Sequence, residues 1–338
     1  MKNEANPRVY GIGNPLMDII VSAKDQELVQ LGVNKGTMTL TDAHRHEQLL
    51  EFASKRNPSY SAGGSCPNTI ATLAAMGIDA TLAGKIGFDQ QGDIYSSLME
   101  QKRVRNELVR SIDQHTGASV ILVTEDSERS MNTYLGANRQ YSQEDVNDES
   151  VIQADFFHFT GYMWDTESQK QAIKHTLSLA KQSHTVVSFD IADPMAVKRY
   201  HDDFIELIRS SCDIVYANRE EAHILFGNED PVENCKQLGK FCPTAIVKNG
   251  KKGSYICHNG QLLIIPVKGS VHPIDTTGAG DTYASGYLYG LCTHHSIAES
   301  GMIASFLAGE IISQWGAQFS PERARFLKHV LETGSWSL

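Results

Sequence analysis

Between residues 155 and 250, short apolar runs alternate with amphipathic stretches. "DFFHFTG" (155–161), "TVVSFDI" (185–191), "CDIVYAN" (212–218) and "TAIVKNG" (244–250) read as strands. Between the first three, Ile173, Leu177 and Ala180 recur at helical spacing, as do Phe204, Ile205 and Ile208. "REEAHILF" (219–226) predicts a short helix, and another begins near residue 231. Strands alternating with amphipathic helices imply a parallel sheet covered on both faces. His258-Asn259-Gly260 predicts a hairpin turn between "GSYIC" and "QLLIIPV". Three helical stretches follow, beginning near 280, 299 and 321.

The first half is less regular. "MDIIVSA" (17–23), "GTMTL" (36–40), "GASVILVT" (117–124) and "RSMNTYLGAN" (129–138) read as strands without helices of βαβ length between them. They predict a small sheet inserted into the larger domain. No internal repeat or Pro/Ser-rich linker marks an independent unit, so the expectation is one α/β domain with a β appendage.

Composition narrows the class. The 338 residues are 41% hydrophobic and 21% charged, ordinary for a globular chain. A formal charge of −10 argues against a general nucleic-acid binder. The one short basic run, "QKRVR" (101–105), reads as a solvated helix end. Six cysteines (66, 212, 235, 242, 257 and 292) form no CxxC pair, which predicts reduced thiols. The N-terminal stretch lacks the basic start and apolar run of a signal peptide, and no segment offers about 18 consecutive apolar residues. The expectation is a soluble, cytoplasmic protein without membrane or nucleic-acid partners.

Candidate chemistry begins at "DTTGAGDTYASGYLYGL" (275–291). Ala284, Leu288 and Leu291 form a helical stripe, and Gly286 and Gly290, four apart, let another backbone approach. A helix starting near Gly280 puts the N–H groups of Ala279, Gly280 and Asp281 at its positive end, an anion site. No GxxxxGK[ST] loop occurs. Asp281 reads in two ways. It can cap the helix, with the dipole depressing its pKa. Alternatively it is a base for phosphoryl transfer, whose loose transition state asks the base mainly to orient the hydroxyl.

A second motif is "AGGSCPNTIATLAAMG" (62–77). Gly63 and Gly64 expose backbone to a ligand, Pro67 sits near the helix start, and Asn68 projects a donor and acceptor from the first turn. Gly77 ends the helix. In "GIGNPLMD" (11–18) Leu16 stands where a dinucleotide fingerprint needs its third glycine, which argues against NAD. His44, His46, His294 and His295 lack an HExxH or acidic companion and read as surface or structural, and no GxSxG occurs.

The two motifs, in this order and separation, resemble the N- and C-terminal signatures of the ribokinase (PfkB) family of carbohydrate and nucleoside kinases, and the resemblance spans essentially the whole chain. It implies a three-layer α/β/α domain with a mostly parallel central sheet and a small β-sheet lid. The core would comprise 1–16, 46–105 and 139–338, and the lid 17–45 and 106–138. It further implies transfer of the ATP γ-phosphate to a hydroxyl, with Asp281 as base and the N–H groups of Gly278, Ala279 and Gly280 cradling charge. Asp18 would hold two substrate hydroxyls, assisted by Asn14, with Gly63, Gly64, Asn68, Arg129 and Tyr162 around the substrate. "NREE" (218–221) resembles the family's Asn-x-x-Glu motif, so Glu221 would organise Mg²⁺ through water. Asn218, Lys248, Gly250, Thr276, Gly278 and Gly280 would line the ATP side. Asp275 and Thr277 would serve a K⁺ ion where one is used. The three residues between Asn14 and Asp18, together with "ERSMNTYLGAN" (128–138), resemble adenosine kinases, and Tyr162 and Trp164 offer aromatic surface for a base. A furanose sugar kinase and a non-catalytic nucleoside or sugar sensor are the alternatives. The lid's edge strand leaves monomer and lid-paired homodimer both open.

Overall fold

The computed structural model describes residues 6–126, 128–269 and 273–335. Residues 1–5, which open both the expected core segment 1–16 and the stretch read for a leader, lie outside the described residues. Strand β1 (Arg8–Ile12) is followed by β2 (Leu16–Ser22), β3 (Met38–Leu40), β4 (Ser59–Gly63), β5 (Asp79–Gly87) and β6 (Arg105–Ser111). β7 (Ala118–Val123) and β8 (Arg129–Tyr134) lead into β9 (Phe156–Thr160), β10 (Val186–Asp190), β11 (Ile214–Asn218) and β12 (Thr244–Lys248). β13 (Ser254–His258) and β14 (Gln261–Ile265) close the series as an antiparallel hairpin. Its turn places Asn259 and Gly260 at φ 48° and 83°, the left-handed pair that a tight hairpin requires.

Nine strands form one sheet in the order β14-β13-β12-β11-β10-β9-β1-β5-β6, parallel from β12 to β6. Successive side chains on a strand point to opposite faces, so each central strand feeds two cores. Val9, Ile214, Tyr216 and Ile246 pack on one face with the helices Ser65–Ala75, Ala279–Cys292, Ile297–Ile311 and Pro321–Glu332. Tyr10, Ile12, Val215, Ala217 and Val247 pack on the other with Glu167–Ser183, His201–Ser211, Arg219–Phe226 and Pro231–Leu238. This is the expected three-layer α/β arrangement, burying its strands on both sides. Gly286 and Gly290 let two helices touch: a Cβ on either would lie 2.7 Å from the Cα of Ala304 or Ser300.

The small sheet has the order β3-β8-β7-β2-β4. Two expected boundaries move. Residues 59–63 pair antiparallel with β2 in the small sheet, whereas 105–111 pair parallel with β5 in the large one. The first half also holds helices that the sequence pattern hid, at Asp25–Leu31, Ala43–Ser54 and Gln90–Gln101. β5 and β6 escaped notice for compositional reasons. β5 is built on Ala80, Ala83, Gly84 and Gly87, and β6 ("RNELVRS") is a largely polar edge strand.

Adjacent strands β1 and β9 send the chain in opposite directions, to β5 and to β10. Such a switch point leaves a crevice at the carboxyl ends of the strands, where ligands of open α/β sheets bind. All six cysteines are free and buried. No helix among the described residues is long and apolar enough to cross a membrane.

Candidate active site

The carboxyl ends of β1, β9, β10, β11 and β12 deliver Asn14, Tyr162, Asp190, Asn218 and Lys248 to one rim. At the switch point the Asn14 amide donates to the Tyr162 carbonyl (3.4 Å) and accepts from Gln169 Nε2 (2.9 Å). The connection from β4 passes Gly64, which caps the helix Ser65–Ala75 at φ 105°. That conformation suits only glycine here, because a Cβ would collide with the Asn14 carbonyl. At Gly63 a Cβ would come within 2.9 Å of Asp18 Oδ2, so the glycine pair leaves room beside that carboxylate. Burial pushes the Asp18 carboxyl up to about 6, offset in part by the Arg129 charge; no donor among the described residues bonds to it.

Asp281 lies in the first turn of the helix Ala279–Cys292, but it does not cap that helix. The cap position is Gly278, left-handed at φ 74°, with no side-chain bond. The Asp281 carboxylate instead reaches across to the facing helix. Oδ1 accepts from Ser65 Oγ (2.7 Å) and Oδ2 from Asn68 Nδ2 (2.9 Å). Two helix N-termini therefore converge on this acid. Burial nevertheless pushes it up to about 6 against the bonds from Ser65 and Asn68, so the dipole-depressed pKa expected from the sequence is overturned. The N–H of Ala279 is directed to the Thr276 carbonyl (3.2 Å), which already engages one of the three expected cradle donors.

On the other side of the rim, Asn218 and Glu221 form a reciprocal capping box: Asn218 Oδ1 accepts from the Glu221 N–H (2.9 Å) and Glu221 Oε2 from the Asn218 N–H (2.7 Å). The two glutamates of "NREE" differ in environment, for Glu220 is exposed and Glu221 buried. Burial, reinforced by Asp190 and Asp193, raises the Glu221 carboxyl well above the carboxylate range. Lys248 is bound to Asp190 (Nζ–Oδ2, 2.8 Å). Burial would discharge it, but the carboxylates of Asp190 and Glu221 hold its pKa above the ordinary value. Gly250 is left-handed at φ 54° with open space around it, and Thr276 is exposed in the loop.

A third group ties the small sheet to the glycine loop. Asp275 Oδ1 accepts from the N–H (2.9 Å) and hydroxyl (2.6 Å) of Thr277. Its Oδ2 accepts from the Gly316 N–H (3.0 Å) and from Arg129 on β8 (3.3 Å). These bonds and the Arg129 charge outweigh burial and hold Asp275 below the usual carboxylate range. Arg129 thus bonds to the glycine loop while its charge acts on Asp18. Trp164 is not a stacking surface: it is buried against Phe204 and donates to Asp203 (2.8 Å). Tyr162 remains 43% exposed at the crevice.

Sequence reasoning missed Ser65, Asp190, Gln169 and Gln318. Gln318 Nε2 donates to the Ala62 carbonyl and to Asn68 Oδ1 (2.8 Å each), so the Asn68 amide must turn its nitrogen toward Asp281. A carboxylate closing the apolar run "SFD" was a visible signal for Asp190. Gln318 carries none, since it lies between helices and outside any motif.

Residues 41–324 match the pfkB family of carbohydrate kinases. The chain belongs to that family. It is accordingly a phosphotransferase acting on a hydroxyl group, a sugar or nucleoside kinase. Among solved structures, this pfkB kinase is similar to a probable sugar kinase protein from Rhizobium etli CFN 42, with 33% identity and TM-score 0.85, covering 98% of this chain and 99% of the other. It is likewise similar to the adenosine kinase from Sinorhizobium meliloti, at 35% identity and TM-score 0.82, covering 95% and 99%. The ribokinase of Haemophilus influenzae is 27% identical over 83% of this chain and 92% of its own.

Proposed function

We propose that this kinase transfers the γ-phosphate of ATP to the primary hydroxyl of a nucleoside, adenosine, and that Asp281 is the base. One observation carries the reading. Asp281 sits in the first turn of an anion-binding helix yet spends its carboxylate on Ser65 and Asn68, beside the glycine pair that faces Asp18. It therefore bridges a phosphate side and a hydroxyl side, where an acceptor oxygen must stand for in-line transfer. A carboxyl pushed up to about 6 is ionised at neutral pH and retains more basicity than an exposed aspartate.

Asp18, with no donor on its carboxylate, binds the sugar's vicinal hydroxyls. Gly278 and Gly280 allow phosphate oxygens to approach the helix N-terminus, and Lys248 adds a cation beside them. Among the described residues no group of three or more His, Cys, Asp or Glu side chains is arranged to hold a metal directly. The buried Glu221, next to Asp190, fits a hydrated Mg²⁺ carried by the nucleotide, which keeps most of its waters. When bound, the ion supplies charge neutralisation to the phosphates. Asp275 and Thr277 are bonded to each other, so a K⁺ ion at this pair would compete with Arg129. The small sheet acts as the lid that excludes water from the transfer.

Adenosine is favoured over a free sugar by the Asn14–Asp18 spacing, the exposed Tyr162 at the switch point and the similarity to the Sinorhizobium enzyme. Titration of adenosine and of ribose into the protein holding a non-transferable ATP analogue tests the choice. Adenosine is expected to bind at least tenfold more tightly; equal or tighter binding of ribose would move the assignment to a furanose kinase.

A further inference from the structure

We propose that Asp190 is a positioning residue for phosphoryl transfer: it holds the Lys248 ammonium over Gly280, at the head of the anion-binding helix, and keeps it off the base. The geometry rests on two strand ends with one strand between them. β10 ends at Asp190 and β12 at Lys248, and their side chains meet at 2.8 Å while only 3% and 16% exposed. The other Asp190 oxygen accepts from the backbone N–H of Ala192 (3.2 Å), which turns left-handed at φ 67°. One carboxylate thus fixes its own turn and the lysine together. Lys248 Nζ lies 3.1 Å from where a Gly280 Cβ would be, so the glycine keeps open the space that the ammonium occupies.

The charge balance shows why the lysine needs holding. Asp190, Glu221 and Asp281 all act on the Lys248 ammonium. Its four-carbon stem is flexible, and without Asp190 the ammonium would settle on Glu221 or on Asp281. A close ion pair with Asp281 would lower the basicity of that carboxylate and draw it away from the acceptor. Bound to Asp190, the lysine stays beside the phosphates and leaves the base free to meet the hydroxyl. The proposal rests on assigning this side of the rim to the nucleotide.

Asp190→Asn keeps the shape and removes the charge that holds the lysine. It is expected to lower kcat with adenosine at least tenfold and to change the Kd for ATP, titrated directly, by much less, because the loss of a negative charge near the phosphates offsets the displacement of the lysine. In a Lys248→Met background the same change is expected to cost nothing further, since Asp190 acts through the lysine. Asp190→Glu, which keeps the charge one methylene farther out, is expected to reduce kcat with the melting temperature retained, and covers the case in which Asp190→Asn fails to fold. Additive losses in the double variant, or an unchanged kcat in Asp190→Asn and Asp190→Glu, would overturn the proposal. ATP binding that ignores Lys248→Met would instead overturn the nucleotide-side assignment, so the two failures are distinguishable.

Discussion

Asp281→Asn separates chemistry from architecture in one isosteric change. The carboxylate takes two hydrogen bonds, from Ser65 Oγ at 2.7 Å and Asn68 Nδ2 at 2.9 Å. An introduced amide meets both partners once it is turned. Its oxygen accepts from Asn68, and its nitrogen donates to the Ser65 hydroxyl, which switches from donor to acceptor. Two charge-assisted bonds become two neutral ones, a loss of about 1 kcal/mol each, given about 1.5–3 for charged and about 1 for neutral bonds. Burial opposes this loss, because the carboxylate alone bears the desolvation that pushes its pKa up to about 6. The net stability change should therefore be about 1 kcal/mol or less, a shift of about 1–2 °C in Tm for a chain of this length. Removing a general base costs on the order of 10²–10⁴ in kcat, or about 3–5 kcal/mol of barrier. The assay is steady-state ATP consumption with adenosine beside a thermal melt of each protein. A folded variant with near-normal kcat would refute Asp281 as the base. Collapse of Tm in step with kcat would make Asp281 structural.

Three further outcomes follow from the same geometry. Burial raises both Asp18 and Asp281 to about 6, and each must be ionised to work, so kcat/KM for adenosine should fall as pH drops through about 6. The limb should have a slope near two in the native protein and near one in Asp18→Asn; a flat profile down to pH 4.5 would contradict both assignments. Asp18→Ala should raise the KM for adenosine at least tenfold, from the loss of charge-assisted bonds of about 1.5–3 kcal/mol each, and 2′- or 3′-deoxyadenosine should lose most of its disadvantage in this variant. An unchanged KM would remove Asp18 from the substrate. Gly64→Ala should cost several kcal/mol or prevent folding, because the residue needs φ 105° and its Cβ meets the Asn14 carbonyl; a melt within about 2 °C of native would refute the close approach.

The second half of the fold was legible because its strands are apolar throughout and its helices one-sided, so β9 to β12 and their helices stood in the hydrophobic pattern. The first half was legible only in part: β2, β3, β7 and β8 and the small sheet they form stood in the pattern, but its large-sheet strands and several of its helices did not. β5 is rich in glycine and alanine, β6 is an edge strand, and the helix Ala43–Ser54 carries two histidines and an arginine at its start. Candidate site residues could be named where motifs carried them, and the structure gathers Asp281, Asn68, Gly63, Gly64 and Asp18 on one side and Asn218, Glu221 and Lys248 on the other. What the sequence could not supply was pairing across long separations. Ser65 to Asp281, Asp190 to Lys248, Arg129 to Asp275 and Gln318 to Asn68 each join segments at least 58 residues apart, where neither periodicity nor local spacing reports contact. Trp164 shows the converse: its aromatic character was visible, but its burial depends on Phe204 and Asp203.

Transfer to a nucleoside's primary hydroxyl is tested by competition among acceptors. kcat/KM should be measured for adenosine, 5′-deoxyadenosine, ribose and fructose at saturating Mg-ATP, with each product identified by phosphorus NMR. Adenosine is expected to exceed ribose and fructose by at least tenfold, its product to be the 5′-phosphate, and 5′-deoxyadenosine to give no product. Ribose or fructose turned over as fast as adenosine, or phosphate placed elsewhere on the nucleoside, would contradict transfer to that hydroxyl.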